Sequence, residues 1–169
     1  MSNKRVYLVD DEPDFLELER EALDGDFNIS CMSFGHAILN EIDYTQPSIV
    51  LLDVELPDIN GYEVCKQIKE KDQHDNISII FISGNDSINE RLAGYSAGAD
   101  DYIVKPVDIF ELKAKAHIVS KFQQNKENIK TQETLARDMA FQAMSEASQY
   151  GRVLQFRKKK LMTVNRTKK

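Results

Sequence analysis

The chain has 169 residues, 41% of them hydrophobic and 30% charged, with a formal net charge of −6. That length holds one domain with an appendage, and that balance excludes both a disordered polymer and a membrane-spanning bundle. Two cysteines, Cys31 and Cys65, are too few and too far apart for a disulfide framework or a zinc site, so both are expected to be small packed hydrophobes in a reducing, cytoplasmic setting. The amino terminus enters the strand-like run Val6-Tyr7-Leu8-Val9 almost at once, so no signal peptide is expected.

Strand signals recur over 5–9, 27–32, 49–52, 77–82 and 102–104, with helical patterns over 13–23, 35–42, 62–71 and 87–97. Pro13 suits a first helical turn, Phe15, Leu16, Leu18 and Leu23 give that helix its apolar face, and Asp24-Gly25 stops it. In the fourth helix Ile88, Leu92, Ala93 and Tyr95 form the expected buried face, with Gly98 as a left-handed cap. Strands alternating with helices at this spacing predict an α/β fold, a five-stranded doubly wound parallel sheet with helices on both faces.

Beyond Val107 the pattern changes. Asp108 is an N-cap candidate, and Ile109, Phe110, Leu112, Ala116 and Val119 predict a fifth helix packed on the sheet. Three segments are expected: a domain over 1–120, a helical extension over 121–150 ended by Gly151, and a mobile basic tail over 151–169. One unbroken helix from Asp108 to Tyr150 would run roughly 65 Å at about 1.5 Å per residue, and a lone polar helix needs a partner face. Phe122, Ile129, Ala136 and Ala143 lie seven apart like a coiled-coil seam, weakened by Asn125, Gln132 and Glu146. Met139, Phe141 and Met144 fall at helical spacing and are expected to be packing residues. Charge divides the same way: residues 1–118 carry a net −14 and residues 119–169 a net +8.

The chemistry gathers at strand ends. Asp10-Asp11-Glu12 follows the first strand, Asp53 closes the third, Ser83 the fourth, and Lys105 follows the fifth. In a parallel sheet these positions share one edge, where ligands bind. Crowded carboxylates repel one another, and magnesium with one or two carboxylates plus waters relieves that repulsion. A lysine and a hydroxyl opposite the acids could then hold a phosphoryl group, which is the set of parts for phosphoryl transfer to a carboxylate. His36, His74 and His117 share no ligand spacing and are expected to be structural.

Asp10-Asp11-Glu12-Pro13, the segment from Leu52-Asp53 to Pro57 and Gly61, Ser83-Gly84, and the run from Gly98 to Lys105-Pro106 together resemble the receiver domain of two-component response regulators, over about residues 4–120. The resemblance implies a flavodoxin-like fold with Asp53 accepting a phosphoryl group from a histidine kinase or phosphotransfer protein. It implies magnesium held by Asp10, Asp11, Asp53 and the backbone carbonyl of Glu55, and Lys105 paired with the phosphoryl oxygens before an often cis Pro106. Ser83 and Tyr102 would be the switch pair. The output is then a change of protein–protein contact with a downstream target, or a homodimer through the carboxyl-terminal helix, rather than an enzymatic activity. The alternative is a transcription regulator using the basic end on DNA, although no recognition-helix pattern supports nucleic-acid binding. An aspartate phosphohydrolase is the weakest reading, and no membrane contact is expected.

Overall fold

The structure is a computed structural model and describes residues 4–166. In chain order it runs β1 (Arg5–Val9), α1 (Pro13–Leu23), β2 (Asn28–Met32), α2 (Gly35–Thr45), β3 (Ile49–Asp53), α3 (Gly61–Lys69), β4 (Ser78–Ser83), α4 (Ile88–Ser96), β5 (Asp101–Val104) and α5 (Ile109–Arg166). All neighbouring strands pair in parallel, in the order β2-β1-β3-β4-β5. The order reverses at β1, so the crevice at a doubly wound switch point opens between the carboxyl ends of β1 and β3. Val9 is in register with Leu52, which brings Asp10 and Asp53 to the two lips of that crevice.

Every residue of β3 and β4 is buried, as a strand covered on both faces requires. Alternate residues serve two cores. Tyr7, Val9, Val50, Leu52, Ile79 and Phe81 meet α2 and α3 through Ile38, Ile42, Val64 and Ile68. Val6, Leu8, Ile49, Leu51, Ile80 and Ile82 meet Leu23 of α1 and Leu112 and Ala116 of α5. Each fully buried aliphatic side chain contributes roughly 1.5–3 kcal/mol, so these two layers dominate the stability of the domain.

Several expectations change here. In α4 only Gly94 is buried; Ile88, Leu92 and Tyr95 are exposed. A Cβ at Gly94 would stand 3.1 Å from the Phe81 ring and 3.3 Å from the Tyr102 ring, so α4 lies close against the sheet by its glycine rather than by an apolar stripe. Gly98 caps it as expected, with φ +102°, Ala99 N–H donating to Gly94 O at 3.2 Å and Gly98 N–H to Tyr95 O at 3.0 Å. Cys31 is exposed rather than packed, whereas Cys65 is buried.

Asp108 caps α5 through its side chain, accepting from Phe110 N–H at 2.8 Å. Leu112 and Ala116 are buried as expected, but Phe110 points to solvent. Helix α5 does not stop at Gly151; its backbone stays helical to Arg166, through most of the segment expected to be a mobile tail. An interior glycine costs only about 1 kcal/mol, and no proline follows to enforce a stop. Residues 167–169 of that tail lie outside the described residues.

The contacts divide the chain into two units, Met1–Gln124 and Asn125–Lys169. The first ends a turn beyond residue 120 because Gln123 is buried, donating to Ser48 O, to Asn76 O at 2.8 Å and to Ser78 Oγ at 2.9 Å. In the second, all side chains described are exposed, including Met139, Phe141 and Met144, which were expected to pack.

Candidate functional site

Asp10 and Asp53 are almost wholly buried, 2% and 5% exposed, while Asp11 beside them faces solvent. Their carboxylate oxygens lie within 4.8 Å of one another, which makes them a cluster able to hold a cation. Lys105 closes it from the β5 side. Its Nζ donates to Asp10 Oδ2 at 2.8 Å, to Asp53 Oδ2 at 3.0 Å and to Glu12 Oε1 at 3.4 Å, and it stands 4.4 Å above the Phe15 ring. The peptide from Lys105 to Pro106 is cis.

Burial pushes the Asp53 carboxyl above its ordinary value, while the Lys105 hydrogen bond and the Glu55 N–H, donating to Oδ1 at 3.1 Å, pull it back. Burial alone would lower the Lys105 pKa, but its bonds to Asp10 and Asp53 outweigh it and hold the ammonium well above its usual range. Both oxygens of Asp53 are thus oriented by fixed donors. The donor set is all oxygen and anionic, which suits a hard divalent cation rather than zinc or copper. Glu55 directs its side chain to solvent and enters the site through its backbone.

The loop between β3 and α3 is fixed by residues the motifs alone do not explain. Gly61 N–H donates to Val54 O at 2.9 Å, and a Cβ at Gly61 would fall on the Asp53 carbonyl oxygen and 2.9 Å from Val54 Cα. Only glycine permits that approach. Asn60 caps α3 by accepting from Tyr62 N–H at 2.9 Å. Asp58 reaches across to α2, which has no cap of its own, and accepts from Gly35 N–H at 2.9 Å and His36 N–H at 2.8 Å. Desolvation raises the Asp58 pKa, but those donors and the His36 ring outweigh it and hold the carboxyl far below its usual range.

On the β4 side Ser83 is buried, and its Oγ accepts from Asn85 N–H at 3.2 Å. Tyr102 is turned inward, its ring against Phe81 and its hydroxyl donating to Asn85 O at 2.9 Å. The serine and the tyrosine are therefore tied to the same short loop. None of the three histidines belongs to the acid cluster; His74 is fully buried beside Asp43, at 3.0 Å.

Glu19 was not expected here. It lies on α1, 1% exposed, with Oε1 lacking a hydrogen-bond partner. Desolvation first, then the negative charge of Asp10, push its carboxyl up to about 8; Lys105 pulls the other way, and Asp53 adds a smaller push upward. An acid interrupting an apolar helical face was the available signal: Leu16, Glu19 and Leu23 fall at i, i+3 and i+7.

A parallel sheet in the order 2-1-3-4-5, three carboxylates at the switch point and a lysine across them are now in place, and the receiver domain of response regulators matches residues 6–117. The chain belongs to that family. TrcR, a transcriptional regulatory protein of Mycobacterium tuberculosis, is 34% identical over 112 residues, 66% of this chain and 43% of TrcR. A probable cyclic di-GMP phosphodiesterase of Vibrio cholerae is 32% identical over 117 residues, 69% of this chain and 26% of that protein. Among solved structures, the BeF3-activated receiver domain of DrrB superposes with a TM-score of 0.65 at 31% identity, covering 70% of this chain and 98% of that one. The chain thus spans less than half the length of these two longer relatives, and the likeness is confined to the receiver.

Proposed function

We propose that this receiver takes a phosphoryl group on Asp53 from a histidine kinase or a phosphotransfer protein, with magnesium at Asp10, Asp11, Asp53 and the Glu55 carbonyl. The observation that carries this reading is Lys105 Nζ lying 2.8 Å from Asp10 and 3.0 Å from Asp53 in a cluster of three carboxylates. A carboxylate oxygen of Asp53 forms the O–P bond while the P–N bond of a phosphohistidine breaks, its electron pair leaving with the imidazole nitrogen. Bound magnesium would offset charge building on the phosphoryl oxygens. Lys105 then shifts its hydrogen bond from Asp53 to the phosphoryl group. Ser83, joined through Asn85 to Tyr102, turns its hydroxyl to the same group, and the Asn85 loop follows.

The output in this reading is a change of protein contact, including self-association through α5, whose second unit leaves Ile129, Leu135, Met139, Phe141 and Met144 exposed. The names of the longer relatives describe transcription and cyclic-dinucleotide chemistry, and more than half of each of those proteins lies outside the match. Acetyl phosphate with magnesium should add one phosphoryl group to the wild-type protein and none to Asp53→Asn, read by intact mass. Equal modification of the variant would overturn the assignment.

A further inference from the structure

Phe15 is a large aromatic side chain that the cores do without. The periodicity of α1 sets it on the apolar face, yet the layer on that side of the sheet is built from Ala22 and Leu23, with Leu16 packed against it. Phe15 lies half-buried in the first turn of α1, and Lys105 Nζ stands over its ring, 4.4 Å from the centroid. Asp10 places that turn. Its Oδ1 accepts from the Glu12 N–H at 2.8 Å, and Glu12 O accepts from the Phe15 N–H at 3.1 Å. Two hydrogen bonds thus connect an acid of the site to the backbone that carries the ring.

We propose that Phe15 is a positioning residue for Lys105 in phosphoryl transfer to Asp53. The proposal rests on the reading of Asp53 given above and adds a residue to its machinery. An ammonium has three N–H donors, and Lys105 faces three carboxylates: Asp10 at 2.8 Å, Asp53 at 3.0 Å and Glu12 at 3.4 Å. Glu12 is exposed, so a flexible four-carbon stem has a way out of the crevice towards it. The ring face attracts the cation through its quadrupole and offers no lone pair to compete for an N–H. Phe15 therefore holds Nζ in the crevice without drawing a hydrogen bond away from Asp10 or Asp53.

Burial gives this contact its weight. The Lys105 side chain is 11% exposed, and a cation over a ring is attracted more strongly once water is removed. The attraction is to a face rather than to one atom. Nζ can pivot over the ring while one N–H turns from Asp53 to a phosphoryl oxygen, and the contact survives the step. An aliphatic side chain of similar volume would fill the space but would not replace the hydration that the ammonium has lost. A hydroxyl or amide in that place would accept an N–H that the phosphoryl group needs. These two demands together single out an aromatic side chain.

The test uses the full chain, with acetyl phosphate and magnesium as the probe. Phe15→Leu keeps an apolar side chain and removes the ring; it should slow phosphorylation about tenfold while the urea midpoint stays near that of the wild type. Phe15→Tyr restores a ring and should recover most of the rate. Proton NMR of the unphosphorylated chain reads the contact directly. The Lys105 methylene next to the amine should show an upfield ring-current shift in the wild type and in Phe15→Tyr, and lose it in Phe15→Leu. A Phe15→Leu chain that keeps pace with a phosphorylated wild type would overturn the proposal alone, as would a Phe15→Tyr chain no faster than Phe15→Leu. Loss of the fold in Phe15→Leu would make the residue a structural one and overturn it too. A wild-type chain that takes no phosphoryl group would overturn the reading of Asp53 and this proposal together.

Discussion

The unit up to Gln124 and the helix beyond it are built on opposite terms. In the first, the site is held by contacts between separate elements: Asp53 by Lys105, the start of α2 by Asp58, Tyr102 by Asn85. In the second, the described side chains are exposed, and the Thr131 and Thr134 hydroxyls donate one turn back, to Glu127 O and Lys130 O, both at 2.9 Å. The difference separates two kinds of determinacy. A site assembled from distant strand ends fixes geometry, whereas a helix made from local bonds fixes only a surface that a partner can complete.

The largest expected effect tests how far the first unit tolerates its own site. Glu19 has a carboxyl pushed up to about 8 in the fold against an ordinary value of 4.5. Well below pH 4.5 both states are protonated and ionisation contributes nothing. As pH rises, the unfolded chain releases its proton while the fold retains it, so stability falls until the folded carboxyl ionises near pH 8. Glu19→Leu should remove that slope and add roughly 4 kcal/mol at pH 8, measured by urea unfolding without magnesium. A chain ended after Gln124 should show the same slope as the full protein. Parallel stability curves for wild type and Glu19→Leu would mean that the acid is not buried in this manner.

That residue also marks the limit of what the sequence discloses. Strand-end motifs made the placement of Asp10, Asp11, Asp53, Ser83 and Lys105 legible, because a parallel sheet brings every carboxyl end to one edge whatever the packing, whereas Tyr102 was named only through the family resemblance. The alternation of strands and helices made the doubly wound parallel sheet legible, and the structure adds its order, β2-β1-β3-β4-β5. Glu19 left only the trace of an acid set in an apolar helical face, and Phe15 over the lysine and Asp58 capping α2 left none, since each role depends on a tertiary neighbour that no local pattern encodes. In α4 the apolar periodicity of Ile88, Leu92 and Tyr95 predicts a buried face, yet burial follows Gly94 because Phe81 and Tyr102 leave no room for a side chain. At Gly151 a local breaker was outweighed by strong helix formers on either side.

A smaller effect tests the close approach under Asp53. Gly61→Ala sets a Cβ against the Asp53 carbonyl oxygen and Val54 Cα, backbone atoms that cannot rotate away. The loop must shift, at a cost of roughly 2 kcal/mol, and Asp53 shifts with it, so phosphorylation by acetyl phosphate should slow as stability falls. Gly84→Ala is the matched control, because a Cβ there meets nothing within 4 Å. Equal losses in the two variants would show that glycine flexibility, not contact with Asp53, sets the loop.

The smallest effect belongs to the second unit and separates it from the first. Gly151 sits inside helical backbone with nothing within 4 Å of a Cβ, so alanine adds no contact and only narrows the unfolded ensemble. Gly151→Ala should favour the local helix by about 0.5–1 kcal/mol and raise helical circular dichroism slightly. If the two units are energetically separate, as their structural terms suggest, the urea midpoint of the receiver will not move. If the midpoint rises with the helicity, the extension contributes to the receiver's stability, and the contrast between a fixed site and a free surface fails.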